Sequence, residues 1–122
     1  MAVRKTILLV EDDDATRLGL STLLERAGYE VVATESVQQG RSVLEEAPPD
    51  LLITDVRLGA FNGLQLLTMS LAGPTIPAIV TTGFPDPVLE AQVREFGATY
   101  LLKPIEPSGL LTLVKKLLGA RS

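Results

Sequence analysis

Five short apolar runs punctuate the chain: Ile7 to Val10, Val31 to Ala33, Leu51 to Ile53, Ala78 to Val80 and Tyr100 to Leu102. Several are continuous rather than alternating, the pattern of parallel strands buried on both faces. Between the runs, apolar positions recur at helical spacing. Asp14 is placed to cap a first helix that carries Leu18, Leu20, Leu23 and Leu24 inward and ends at Gly28. Ser36 is placed to cap a second, with Val37, Gly40 and Leu44 on one side and a stop at Pro48-Pro49. A third is predicted from about Leu64 to Leu71, ending near Gly73-Pro74. A fourth runs from about Pro87 to Phe96, with Asp86 as its cap and Gly97 after it. A fifth starts near Pro107-Ser108 and carries Leu110, Leu111, Leu113, Val114, Leu117 and Leu118. Strand and helix therefore alternate five times. That order predicts an α/β fold, a doubly wound (βα)5 unit whose parallel sheet has helices on both faces. No linker, repeat or low-complexity stretch interrupts it, so residues 1–122 read as a single domain.

In an open parallel sheet, functional groups gather in the crevice beyond the carboxyl ends of the strands. The first strand is followed by Glu11-Asp12-Asp13-Asp14. The third ends in Thr54-Asp55, the fourth in Thr81-Thr82-Gly83, and the fifth in Lys103-Pro104. Each alone has an ordinary structural explanation: acids favour helix N-termini, and that remains the reading of Asp13 and Asp14. Four strand ends that deliver carboxylates, a hydroxyl and a lysine to one edge do not share such an explanation.

Composition narrows the chemistry. The chain has no cysteine and no histidine, which removes disulfides, thiolate or imidazole metal sites and Ser-His-Asp catalysis. Its net charge of -4 suits phosphate backbones poorly, so no direct nucleic-acid partner is expected. No apolar stretch is long enough to span a bilayer or form a signal-peptide core. A cytoplasmic protein without membrane contact is expected. Carboxylates crowded into one cleft repel each other, and an oxygen-ligated divalent cation such as Mg²⁺ relieves the repulsion. A carboxylate can also act as nucleophile towards phosphorus and form an aspartyl phosphate. Phosphoryl transfer then needs mainly charge neutralisation and in-line positioning, for which a cation, an ammonium and a hydroxyl are adequate.

These residues resemble the receiver domain of two-component response regulators, over the whole chain. "ILLVEDD" resembles the family's first strand with its acidic pair. "DLLITDVRLGAFNG" resembles the strand and loop of the phosphorylated aspartate, "PAIVTTG" the fourth strand, and "GATYLLKP" the fifth with its aromatic switch residue. The resemblance implies the flavodoxin-like strand order 2-1-3-4-5. It implies a phosphorylation-dependent signalling switch rather than an enzyme acting on others. Asp55 would accept the phosphoryl group from a sensor histidine kinase or a histidine phosphotransfer protein. Asp12 and Asp55 would ligate Mg²⁺, for which Mn²⁺ can substitute. Glu11 would act largely through water, and Arg57 through its backbone carbonyl. Thr82 and Lys103 would contact the phosphoryl oxygens, and Tyr100 would turn inward as Thr82 shifts. The Lys103-Pro104 peptide would be cis. The face of the fourth helix, fifth strand and fifth helix, from about Asp86 to Leu118, would then be remodelled for a downstream protein or a phosphorylation-dependent homodimer.

There are departures. Gly59 stands where the family often has proline, which should loosen the loop from Val56 to Gly63. Arg57 and Phe84 occupy positions that in the family tune phosphate lifetime, and Phe84 is large enough to shield the acyl phosphate from water. Asp86-Pro87 should give the loop before the fourth helix an unusual shape. A flavodoxin-like cofactor binder would need a glycine- and hydroxyl-rich phosphate loop where Glu11 to Asp14 stand. A Mg²⁺-dependent aspartyl phosphatase would need an acid where Arg57 stands. A receiver that signals without phosphate fits poorly with a complete Asp12, Asp55, Thr82 and Lys103 set. A stand-alone receiver and the N-terminal part of a longer regulator, with a DNA-binding or enzymatic output domain, both remain open.

Overall fold

Three of the apolar runs form the middle of one parallel sheet. In the computed structural model, which describes residues 4–58, 61–62, 66–67 and 76–119, these are β1 (Thr6–Val10), β3 (Leu51–Asp55) and β4 (Ala78–Thr82). β2 (Glu30–Thr34) and β5 (Thr99–Leu102) flank them, giving the order 2-1-3-4-5 with every pair parallel. β3 and β4 are buried at every residue. The two outer strands differ. Val32 of β2 is 37% exposed, and β5 is only half-buried. An edge strand has one sheet neighbour and less helix cover, so an apolar run there does not imply burial on both faces.

The helices are α1 (Asp14–Arg26), α2 (Val37–Glu46), α3 (Pro87–Glu95) and α4 (Pro107–Gly119). Side chains alternate across each strand, so the sheet feeds two cores. Leu8, Val10, Leu52 and Val80 pack with Val37 and Leu44 of α2 and Leu89 and Val93 of α3. Ile7, Leu9, Ile53 and Ile79 pack with Leu24 of α1 and Leu110, Val114 and Leu118 of α4. Gly40 lets α2 approach closely: a Cβ there would lie 3.0 Å from Val10 Cγ2.

The start of α1 corrects the sequence reading. The cap is Asp13, not Asp14. Its carboxylate accepts hydrogen bonds from the Thr16 N–H and hydroxyl at 2.8 and 2.7 Å. Leu18 is not inward but 69% exposed. It lies six positions before the buried Leu24, about 120° around the helix from the covered stripe at 3.6 residues per turn. Ser36 and Asp86 cap α2 and α3 as their positions suggested, and Gly97 takes the positive φ that ends α3. Of the third predicted helix, only Leu66 and Leu67 lie among the described residues; both are helical and buried. Gly59 and most of that helix lie outside them. Arg57–Leu58 pairs with Phe61–Asn62 in a short antiparallel hairpin after β3.

Candidate functional site

The carboxyl edge of the sheet is extended by one residue at two strands. The Glu11 N–H donates to Thr34 O at 3.0 Å, and the Lys103 N–H to Thr82 O at 2.7 Å. These bonds continue the ladder and fix both residues at the rim of the crevice, with Asp55 on β3 between them. The Lys103-Pro104 peptide is cis. The Lys103 ammonium donates to Glu11 Oε1 at 2.7 Å and to Asp55 Oδ2 at 2.9 Å. Glu11 Oε2 accepts from the Asp13 N–H at 3.1 Å. Glu11 and Asp55 are buried, whereas Asp12 is exposed at the mouth.

One carboxylate oxygen from each of Glu11, Asp12 and Asp55 lies within 4.8 Å of the others. Three carboxylates face one ammonium, an excess of two negative charges. Burial pushes the Glu11 carboxyl above its ordinary range, and the nearby Asp55 charge adds to this. Lys103 and the Asp13 N–H pull the other way without cancelling it. Burial works against the Lys103 ammonium, but its hydrogen bonds to Glu11 and Asp55 and their charges prevail, so its pKa is raised. An all-oxygen donor set with excess negative charge fits a hard divalent cation.

Thr82 and Tyr100 meet at one peptide group. Thr82 Oγ1 accepts from the Phe84 N–H at 3.3 Å and donates to Phe84 O at 3.4 Å. The Tyr100 hydroxyl donates to the same carbonyl at 3.3 Å and accepts from the Asp86 N–H at 3.2 Å. Tyr100 is half-buried, and the Phe84 ring is 63% exposed. Arg57 opens the hairpin two residues past Asp55. Glu11, Asp12, Asp55 and Lys103 therefore share one cluster, while Thr82 and Tyr100 join through the turn that follows β4. A largely apolar cavity of about 700 Å³ opens beside Lys103, between Gly19, Leu20 and Leu23 of α1 and Pro104-Ile105.

Two residues that shape this edge escaped the sequence reading. Glu106 caps α4, its carboxylate accepting from the Ser108 and Gly109 N–H groups at 2.8 and 2.9 Å. Its place just before Pro107 was the available signal. Arg17 reaches back from α1 to the Glu11 carbonyl. It stands seven positions before Leu24, within the buried stripe, which was the clue to an arginine folded inward.

The fold and its acidic crevice define a doubly wound α/β domain with an oxygen-rich site at the strand ends. The sequence matches the family model "Response regulator receiver domain" over residues 7–115, and the chain belongs to that family, the receiver domains of two-component response regulators. Among solved structures, it is similar to a CheY-like response regulator receiver domain protein from Methanospirillum hungatei JF-1. The TM-score is 0.90 at 29% identity, covering 97% of this chain and 96% of that one. A receiver domain protein from Clostridium thermocellum gives 0.87 at 25% identity, covering 96% of each. The response regulator protein FleR of Pseudomonas aeruginosa is 39% identical over 113 residues, covering 90% of this chain and 24% of FleR. The phosphate regulon transcriptional regulatory protein PhoB of the same organism is 34% identical over 120 residues, covering 95% of this chain and 52% of PhoB. The chain thus spans between a quarter and about half of these curated relatives. No helix among the described residues is long and apolar enough to cross a membrane.

Proposed function

We propose that the chain is a phosphorylation-dependent switch in which Asp55 accepts a phosphoryl group from a sensor histidine kinase or a histidine phosphotransfer protein. The observation that carries the reading is the convergence of Glu11, Asp12, Asp55 and Lys103 within hydrogen-bonding or ligand range at the sheet's carboxyl edge. Asp12 and Asp55 would hold Mg²⁺, with the Arg57 carbonyl as a further ligand and Glu11 acting mainly through water; Mn²⁺ can replace it. When bound, the cation supplies neutralisation of the carboxylates and of the incoming phosphoryl oxygens. One Asp55 oxygen attacks phosphorus in line, a P–O bond forms as the donor's P–N bond breaks, and the leaving imidazole takes a proton from solvent. Lys103 pairs with the transferred group. Thr82 exchanges its bonds to Phe84 for a phosphoryl oxygen, and Tyr100 turns inward as Thr82 shifts. The surface of α3, β5 and α4 is what changes for a downstream protein or a second copy. Phosphoryl contacts of this kind can invert the populations of two states a few kcal/mol apart. The reading is of a signalling domain in the cytoplasm that catalyses only its own phosphorylation and dephosphorylation.

The test is intact-protein mass after incubation with acetyl phosphate and Mg²⁺, beside Asp55→Asn and an EDTA control. A gain of one phosphoryl group, lost in the variant and without metal, supports the assignment. Modification that persists in Asp55→Asn sinks it. A second reading, that this receiver is the N-terminal part of a longer regulator, is favoured by the greater lengths of FleR and PhoB. The reading frame beyond Ser122 decides it.

A further inference from the structure

Arg17 lies in the first turns of α1, yet its side chain is only 21% exposed. Nη1 donates to the main-chain oxygen of Glu11 at 2.9 Å, and Nη2 donates to Asp14 Oδ1 at 2.6 Å. Glu35 Oε2 lies 3.9 Å from Nη2. The planar guanidinium presents its donors in a fixed fork, so two such bonds brace the points they join. Those points are the two ends of the acidic turn from Glu11 to Asp14. Between them stands Asp12, whose exposed carboxylate accepts no hydrogen bond among the described residues. The direction of the Asp12 side chain is therefore set by the backbone of the turn. Two other contacts hold that turn from its inner side: the Asp13 N–H on Glu11 Oε2, and the Asp13 cap on Thr16.

We propose that Arg17 is a positioning residue for the cation site: by holding the Glu11 carbonyl and Asp14 together, it fixes the turn that presents Asp12 to Glu11 and Asp55. This rests on the reading that these carboxylates hold a cation. Charge alone predicts the opposite effect. A guanidinium beside the site repels a cation, so an Arg17 that acted only through its charge would weaken binding. A bracing role makes it strengthen binding. Lysine keeps the charge but offers a point donor that cannot span both partners.

The experiment is calorimetric titration of the unphosphorylated protein with Mg²⁺ at fixed ionic strength, for wild type, Arg17→Lys and Arg17→Gln. Melting temperature and amide exchange of the turn are measured alongside. Both variants are expected to raise the Mg²⁺ Kd about tenfold, the usual cost of losing a group that orients a ligand. Exchange should speed up at Asp12 to Asp14 and stay unchanged in the sheet. Arg17→Lys, the milder change, carries the test if Arg17→Gln does not fold. Tighter binding in Arg17→Gln with no change in Arg17→Lys means a charge effect and overturns the proposal. An unchanged Kd in both, with a lowered melting temperature, means a helix contact only and overturns it too. A wild type that binds no Mg²⁺ overturns the cation site, and this inference with it.

Discussion

Replacing Lys103 with methionine keeps a long apolar stem and removes the ammonium that separates two buried carboxylates. At an effective dielectric of about 20, charges at the observed 2.7 and 2.9 Å attract by about 6 kcal/mol each. The net value is much smaller, because the lysine is itself desolvated and its side chain stays 24% exposed. Proton uptake bounds the loss. If Glu11 takes a proton, the site returns to its original excess of two negative charges. From its ordinary value of 4.5, holding Glu11 neutral at pH 7 costs about 3.4 kcal/mol, and at pH 5 about 0.7 kcal/mol. The expected deficit is therefore about 2–3 kcal/mol at pH 7, falling below about 1 kcal/mol at pH 5. The sign follows from linkage. A carboxyl whose folded pKa lies above its unfolded value binds the proton more tightly when folded, so stability rises as pH falls between the two. Urea denaturation of wild type and Lys103→Met at the two pH values measures the difference. A deficit that is independent of pH, or larger in acid, would refute the reasoning.

Other expectations follow from single contacts. Hydrogen bonds from Ser108 and Gly109 hold the Glu106 carboxyl below its usual range, so its contribution to α4 is full at neutral pH and is lost as pH falls through the folded pKa. The melting-temperature gap between wild type and Glu106→Gln should accordingly narrow in acid, and a constant gap would contradict the capping role. Tyr100→Phe removes the hydroxyl shared by Phe84 O and Asp86 N–H. It should lower stability by about 1 kcal/mol or less and speed amide exchange at Asp86, with β4 unaffected. Phe84→Ala should shorten the lifetime of phosphorylated Asp55 several-fold in a dephosphorylation time course; an unchanged lifetime removes the shielding role of the ring.

What could be read from sequence divides along physical lines. Continuous apolar runs marked β1, β3 and β4 because burial on both faces leaves no room for polar residues. The same signal from Val31 to Ala33 overstated β2, since hydropathy does not distinguish an edge from a centre. Helix phase was less secure. Three consecutive aspartates offered three caps, and only the carboxylate contact with Thr16 identifies Asp13. Counting every leucine inward is what misplaced Leu18, whose angle from Leu24 is the same whichever aspartate caps the helix. Glu11, Asp12, Asp55, Thr82 and Lys103 were legible as a group because the strand order brings their chain positions to one edge. Arg17 was legible only as an arginine within the buried stripe of α1; its partner is the main-chain oxygen of Glu11, and main-chain oxygens leave no trace in a list of side chains.

The outer position of β5 has a kinetic meaning. β5 hydrogen-bonds to β4 on one side and is half-buried from Thr99 to Leu101 and exposed at Leu102, whereas β3 and β4 are sealed. Under deuterium labelling, amides of β3 and β4 should exchange only when the whole molecule unfolds, and those of β5 through a cheaper partial opening. Tyr100 and Lys103 ride on the yielding part of the sheet, while Asp55 hangs from the sealed part. An opening of β5 would therefore pull the Lys103 ammonium off the Asp55 carboxylate, 2.9 Å away, while the strand that carries the aspartate stays in place.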